Sequence, residues 1–398
     1  MINLRNVGTV VRGIRTPIIK EHDDLANIVV DSLMAAQESE GFTFRDKDIV
    51  AITEAVVGIS EGNYVTVDEI AEDLKNKFPS GDIGVVFPIL SRNRFSMILK
   101  GIARAMNKIT MLLSFPSDEV GNGILDEEIL DNSEYNLSSV ITEKEYKETF
   151  GSWVHPFTGI NMVDFYRDLI KNENCEVEFV FANNPKEILH YTKEVLTCDI
   201  HTRLHTKKML QEAGAEKVYG LYEIMNAPIG NSGFNPTYGL LGSNKSTEER
   251  LKLFPKTGDK LVIDIQNKLK EKTGKTIEVM VYGDGAFKDP VGKIWELADP
   301  VVSPAHTSGL DGTPNEIKLK YVSDNKFADL RGDELKEAIK NEIRQKEANL
   351  KGNMLSQGTT PRRITDLVGS LCDLTSGSGD KGTPVVFIQG YFDNLASD

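Results

Sequence analysis

The chain has 398 residues, 40% apolar and 27% charged, the composition of a soluble globular protein with length enough for two domains. Its 46 basic and 60 acidic residues give a net charge of −14, which argues against a nucleic-acid backbone as partner. Cys175, Cys198 and Cys372 stand far apart with no C-x-x-C spacing, so neither a disulfide framework nor a thiolate zinc site is expected. With no apolar leader at the N-terminus and no run of about 18 apolar residues, the expectation is a cytoplasmic chain with no membrane partner.

Residues 1–20 read as an extended opening that ends in GIRTPIIK. Asp23 and Asp24 then cap a predicted helix over Leu25–Gln37, with Leu25, Ile28, Val29 and Leu33 at helical spacing. Asp48–Ile59, DIVAITEAVVGI, reads as a core strand with Glu54 in its middle, closed by Ser60-Glu61-Gly62. An acid inside an apolar strand is costly unless paired or ligating, so Glu54 marks either a buried pair or a site. A helix over Val67–Asn76, a strand over Ile83–Leu90 and a basic helix from Ser91 through Arg104 follow. The next strand, Ile109–Phe115, runs into a turn with two acids, Asp118 and Glu119. Residues 123–150 read as an exposed acidic excursion, and 151–225 as an α/β run with strands near Val177–Phe181 and Lys217–Ile224. His201 and His205 are four apart, but no glutamate stands where a zincin requires it. Asn226–Ser246, rich in Gly, Asn and Ser, reads as a functional or a disordered loop.

A charged amphipathic helix, Asp259–Glu271, leads into a strand over Ile277–Tyr282 that is apolar on both faces. Gly283-Asp284-Gly285 then presents one carboxylate on a flexible turn, with Lys288 and Asp289 close behind. An acid at the carboxyl end of a strand is where open α/β sheets place ligand chemistry; an Asp in a plain glycine turn is the alternative. Further on come His306 and Asp311, a charged helix over Asp333–Leu350, and a loop with Thr359, Thr360, Arg362 and Arg363. LTSGSGDKGTP precedes a last strand, Val385–Gln389. That glycine-rich segment is no P-loop, because Thr383 stands where the lysine belongs, but its amides and Lys381 suit an anion. The acids at loop edges suit Mg2+ or Mn2+, the Thr359–Arg363 loop suits phosphate, and His306 suits a general base or ligand.

Three segments together resemble the GTP-dependent γ-glutamyl ligases that elongate the deazaflavin coenzyme F-420. GIRTPIIKEHDDLANIVVDSL is similar to that family's G-x-x-x-P-x-I-x-x-G-D-D-L-A, with His22 in place of the glycine. DKDIVAITEAVVGISEG resembles its second block, with Ala55 at the lysine position. LFPKTGDKLVIDIQNKLKEKTGKTIEVMVYGDGAF resembles its third, although Phe287-Lys288-Asp289 replaces the arginine-bearing continuation. The family's A-N-A-G-I-D-x-S-N stands here as MNAPIGNSGFN, so Gly230, with Asn231 beside it, occupies the position of a metal-binding aspartate.

The resemblance implies an α+β fold of two intimately associated α/β subdomains with mixed sheets. It divides the chain into a ligase-like core (1–90 plus 217–325), an inserted α/β region (91–216) and a C-terminal helical and glycine-rich segment (326–398), the last beyond the matched blocks. It also implies that a carboxylate is joined to glutamate or another amino acid through an acyl phosphate, with GTP or ATP as co-substrate, Mg2+ or Mn2+, and a homodimer. Combined with the loops read above, it makes Asp284, Asp118 and Asp289 the expected metal ligands and Glu54, Glu61 and His306 the expected catalytic groups. Thr359, Thr360, Arg362, Arg363, Asn226, Asn231 and Lys381 are the expected nucleotide contacts. A metal-dependent phosphohydrolase and a non-catalytic ligand-binding relative, the latter suggested by Gly230 and Ala55, are the other readings.

Overall fold

The computed structural model describes residues 6–155, 158–283, 286–288, 295–297, 304–359, 362–377 and 379–397. The chain divides into two compact units, Met1–Glu61 with Thr257–Lys288 and Trp295–Asp398, and Gly62–Lys256 with Asp289–Ile294. The first unit opens with β1 (Val10–Ile14), α1 (Leu25–Glu40), β2 (Ile49–Thr53) and α2 (Glu54–Ser60). The second supplies β3 (Tyr64–Thr66), α3 (Val67–Lys77), β4 (Asp82–Val86), α4 (Phe95–Ala105), β5 (Lys108–Leu113), α5 (Glu127–Asp131), β6 (Ile141–Thr142), α6 (Glu143–Phe150) and α7 (Met162–Asn172). It continues with β7 (Glu176–Phe181), β8 (Glu194–Thr197), α8 (Arg203–Glu212), β9 (Lys217–Gly220), β10 (Asn244–Thr247) and β11 (Arg250–Lys252). The first unit resumes with α9 (Gly258–Thr273), β12 (Glu278–Tyr282), β13 (Ala286–Lys288), β14 (Trp295–Leu297) and β15 (Ala305–His306). It ends with α10 (Leu319–Asn325), α11 (Gly332–Gln345), α12 (Ile364–Thr375) and β16 (Val385–Gln389). No helix among the described residues is long and apolar enough to cross a membrane.

The first unit is built on a five-stranded mixed sheet of order β1-β16-β2-β12-β15, in which β2 and β12 run parallel and the other neighbours antiparallel. Its central strands, β16, β2 and β12, are buried at every position because both faces are covered. Val50, Ile52, Val279, Val281, Val385 and Phe387 meet α1 and α9, while Ala51, Met280, Tyr282 and Val386 meet α12 through Ile364, Val368 and Cys372. The α1 helix starts where Asp24 accepts from the Asn27 N–H at 3.1 Å, and stops at Gly41, whose φ of +68° is the left-handed region that glycine enters freely. Leu33 on its inner face is fully buried, and truncating such a side chain costs about 2–5 kcal/mol. Two expectations change here. The strand expected over Asp48–Ile59 stops at Thr53, so Glu54 opens a helix instead of sitting in mid-strand. The C-terminal segment, expected to pack on the core, also supplies part of it, since β16 lies inside the sheet between β1 and β2.

The second unit holds a six-stranded sheet of order β6-β7-β5-β4-β8-β9, parallel except for β6. The parallel strands, counted along the chain, lie in the order third, second, first, fourth, fifth, which is that of doubly wound nucleotide-binding folds. Side chains alternate between faces: Ile83, Val85, Ile109, Met111 and Phe179 join the core with α3, α4 and α7, and Val86, Leu112, Val180 and Val195 face the opposite way toward Leu210 of α8. A three-stranded antiparallel sheet, β10-β11-β3, completes the unit. This unit is therefore longer at both ends than the inserted region expected over 91–216, because α3 and β4 belong to it. Residues 123–150 are no exposed excursion: Ile124, Leu125, Leu130, Ile141, Tyr146 and Phe150 are all buried in its larger core.

Candidate active site at a sheet edge of the first unit

β2 and β12 lie in parallel register with Thr53 opposite Tyr282, so the residues that leave the sheet side by side are Glu54 and Gly283, the latter preceding Asp284 in the chain. Antiparallel pairing of Ile14 with Val385, and of Val385 with Ile52, brings residues 15–20 and the glycine-rich loop 376–384 to the same edge. The Thr53 N–H donates to the Pro384 carbonyl at 3.0 Å and the Thr16 N–H to the Gly382 carbonyl at 3.2 Å. Within the loop, Ser376 Oγ donates to the Thr383 carbonyl at 2.6 Å. A Cβ on Gly13 would come within 2.9 Å of that hydroxyl, so β1 can approach this closely only with glycine there. Lys381 is exposed on the loop, its Nζ 3.5 Å from the Thr375 carbonyl.

Glu54 is only 9% exposed. As the first residue of α2 its charge sits favourably by the free amides of that helix, which accounts for part of its placement. Its position also holds an acid out of bulk water at the end of a parallel strand, where bound cations and phosphoryl groups gain most from it. Glu61, just beyond α2, accepts from the Thr257 N–H at 2.9 Å and the Thr257 hydroxyl at 2.6 Å, and so fastens the start of α9. His22 stands in the left-handed region at φ +67°, its N–H donating to the Ser60 carbonyl at 2.9 Å. That backbone conformation explains why the family pattern has glycine at this position. His306 lies opposite Met280, a step back from the edge, with Nε2 3.0 Å from Asp311 Oδ1.

Within the first unit, the structure separates other expected residues from this edge. Tyr282 Oη reaches the Ser376 carbonyl at 3.4 Å, so α12 ends near the edge, whereas its first residue, Ile364, donates to the Gly312 carbonyl at the far end. The 12 residues of α12 span about 18 Å, which leaves Thr359, Arg362 and Arg363 at the opposite end of the sheet from Glu54. Asn226, Asn231 and Asp118 belong to the second unit. Asn226 and Asn231 are exposed on an ordered loop anchored by Asn235, which donates to the Phe254 and Pro255 carbonyls at 3.2 and 3.1 Å and accepts from the Thr237 and Tyr238 amides. Asp118 accepts from the Leu90 N–H and the Asn122 side chain on one oxygen, and from the Val120 and Asn122 amides on the other. Those four donors occupy the lone-pair positions a carboxylate offers, so Asp118 holds its turn together and has no position left for a metal. Asp284, Asp289 and Thr360 lie outside the described residues.

Among the described residues no three or more His, Cys, Asp and Glu side chains gather into a metal-binding group. His201 precedes α8 while His205 lies within it, so they do not form the helical pair their spacing suggested. Asp199 follows β8 and is buried, and its signal in the sequence is VLTCD, a short apolar run ending in an acid.

A buried acid, a glycine-rich loop and the strand end at Gly283 thus meet at one edge of an α/β sheet, the position where such sheets place ligand sites. The sequence profile of the F-420-0:gamma-glutamyl ligases matches residues 13–390, and the chain belongs to that family. The match extends through the C-terminal part that the three sequence blocks had left uncovered. No individual curated protein matches the chain.

Proposed function

We propose that the protein is a nucleotide-dependent, metal-assisted ligase that forms an amide between a small-molecule carboxylate and the amine of glutamate or another amino acid. The observation that carries the reading is the parallel register of β2 and β12, which sets buried Glu54 beside the strand end that leads into Asp284. Family membership supports the γ-glutamyl class of chemistry. A hard divalent cation needs only one or two carboxylates besides phosphate and water, so the absence of a three-ligand cluster among the described residues is compatible with Glu54 and Asp284 as donors for Mg2+ or Mn2+. Such a cation, when bound, would offset the charge of GTP or ATP phosphates.

In this reading a substrate carboxylate oxygen bonds to the terminal phosphorus as the bond to the nucleoside diphosphate breaks, leaving an acyl phosphate. The amine nitrogen then bonds to the acyl carbon, phosphate departs, and the amine proton passes to a base. His306 suits that role, because Asp311 engages Nε2 and leaves Nδ1 as the ring atom for the proton. Amides of the 376–384 loop and Lys381 would steady phosphate oxygens. The family analogy adds a homodimer, which sedimentation would show as twice 44.2 kDa.

The reading is tested by turnover of GTP or ATP with Mn2+, a carboxylate acceptor and glutamate. Amide product that requires all of them, and that disappears in Glu54→Gln and Asp284→Asn, supports the reading. Nucleotide hydrolysis that proceeds equally without amine would instead make the protein a phosphohydrolase. Absence of any heat on titrating Mn2+ and nucleotide would make it a relative without catalytic function.

A further inference from the structure

The second unit carries a feature that the ligase reading does not use. The strand order of its parallel sheet reverses between β4 and β8, and ligands of open α/β sheets bind in the crevice outside the strand carboxyl ends at such a reversal. Three loops meet there. The loop after β4 carries Arg92 and Arg94, and the loop after β8 runs Cys198-Asp199-Ile200-His201 toward α8, a helix of 10 residues. The loop after β5 reaches both: Asp118 accepts from the Leu90 N–H at 2.8 Å, and Glu119 accepts from the N–H groups of Ile200 and, at 3.0 Å, His201.

Two observations define the chemistry of this crevice. Glu119, an exposed side chain, lays one carboxylate oxygen on each of two successive backbone amides in the loop ahead of α8, a pair of donors that suits an anion. Asp199 is 2% exposed; its Oδ2 accepts the hydroxyls of Thr202 and Thr206, both at 2.6 Å, while Oδ1 is buried with no hydrogen-bond partner. The two threonines fix the carboxylate, and its second oxygen is left calling for a donor that the protein does not provide.

We propose that this crevice binds a small phosphate ester with neighbouring hydroxyls, of the sugar phosphate or nucleoside monophosphate class. The phosphate takes the Ile200 and His201 amides in place of Glu119, and a ligand hydroxyl donates to Asp199 Oδ1. Arg92 and Arg94 bring positive charge to the same end of the sheet, and Glu119 keeps the anion position filled until the ligand displaces it. Asp199 beside the phosphate position disfavours a bare inorganic ion and favours an ester that brings its own donor.

Calorimetric titration of the full chain with inorganic phosphate and with ribose 5-phosphate tests this. Wild type should bind the sugar phosphate about tenfold more tightly than inorganic phosphate, the worth of one hydrogen bond to a charged acceptor. Glu119→Ala should tighten both by about tenfold, because the competing carboxylate no longer lowers the fraction of open sites. Asp199→Ala should remove the preference for the sugar phosphate. Glu54→Gln should change none of these affinities, which keeps this site distinct from the first unit's edge; loss of binding in that variant would overturn the proposal. Glu119 is exposed, so its variant should fold; if Glu119→Ala binds neither ligand more tightly than wild type, the crevice is no phosphate site. A sugar phosphate bound no better than inorganic phosphate by the wild type would overturn the ester assignment.

Discussion

Each unit sets an acid at the carboxyl end of a parallel strand, and each treats it differently. In the first, Glu54 follows β2 and opens a helix at an edge where β1, β12 and the 376–384 loop also arrive. In the second, Asp118 follows β5 into a Val-Gly-Asn turn whose own amides close on its carboxylate. In sequence Glu54 sits within an apolar run and Asp118 in a turn after one. What marks Asp118 is its donor set, since a carboxylate surrounded by the amides of its own turn holds structure; what marks Glu54 is its place where several segments converge.

That contrast is sharpest in catalysis. Glu54→Gln should lower amide formation by about 10²–10³, the usual loss when a charge aimed at a reacting centre is removed, as read from initial rates. Asp118→Ala should act on stability, costing the second unit about 2–4 kcal/mol by chemical denaturation because buried amides lose their acceptor, while Mn2+ affinity stays as in wild type. The opposite outcome, weakened metal binding with stability intact, would collapse the distinction.

Acid should also act in opposite directions on two individual carboxylates, one in each unit. In the second, hydrogen bonds from Arg104 and then Lys100 hold the Glu249 carboxyl down at about 2. Its folded value lies below its unfolded one, so its contribution is full above the ordinary carboxylate range and is lost as pH falls toward about 2. Solvent screening holds that contribution to about 1 kcal/mol. In the first, burial pushes the Asp48 carboxyl up, against the hydrogen bonds from Gln389 and Arg45. There the folded state holds the proton more tightly than the unfolded one, so this group's contribution grows as pH falls through that window. Hydrogen exchange in the second unit should lose less protection between about pH 5 and about pH 3 in Glu249→Gln than in wild type. The smallest effect is local: His22→Gly should stabilise the first unit by about 0.5–1 kcal/mol, since glycine enters its left-handed backbone at no steric cost, as thermal denaturation would show.

Much of the fold was legible. The Val385–Gln389 strand, the start of α1 at its Asp24 cap and the body of α9 follow from apolar pattern and capping, and the structure places them there. The strand–helix junction at Thr53–Glu54 was hidden because DIVAITEAVVGI is apolar on every face, and periodicity cannot tell a buried strand from the buried helix that continues it. Residues 123–150 misled through composition: their acids are outside, but Leu130, Tyr146 and Phe150 turn inward. Sheet membership was the least legible feature. That β16 sits between β1 and β2, and that α3 and β4 belong to the second unit, are matters of long-range pairing that no local window contains. The same limit kept Thr359, Arg362 and Arg363 in the expected site, although α12 carries them to the far end.

The bond from Glu61 to Thr257 has a consequence for how such a chain can be assembled. These are the residues flanking the whole of 62–256, and they are held by two hydrogen bonds within the first unit. A host whose cut ends are already clasped can accept a guest of nearly any length, or be relieved of one, with a short turn as the only splice.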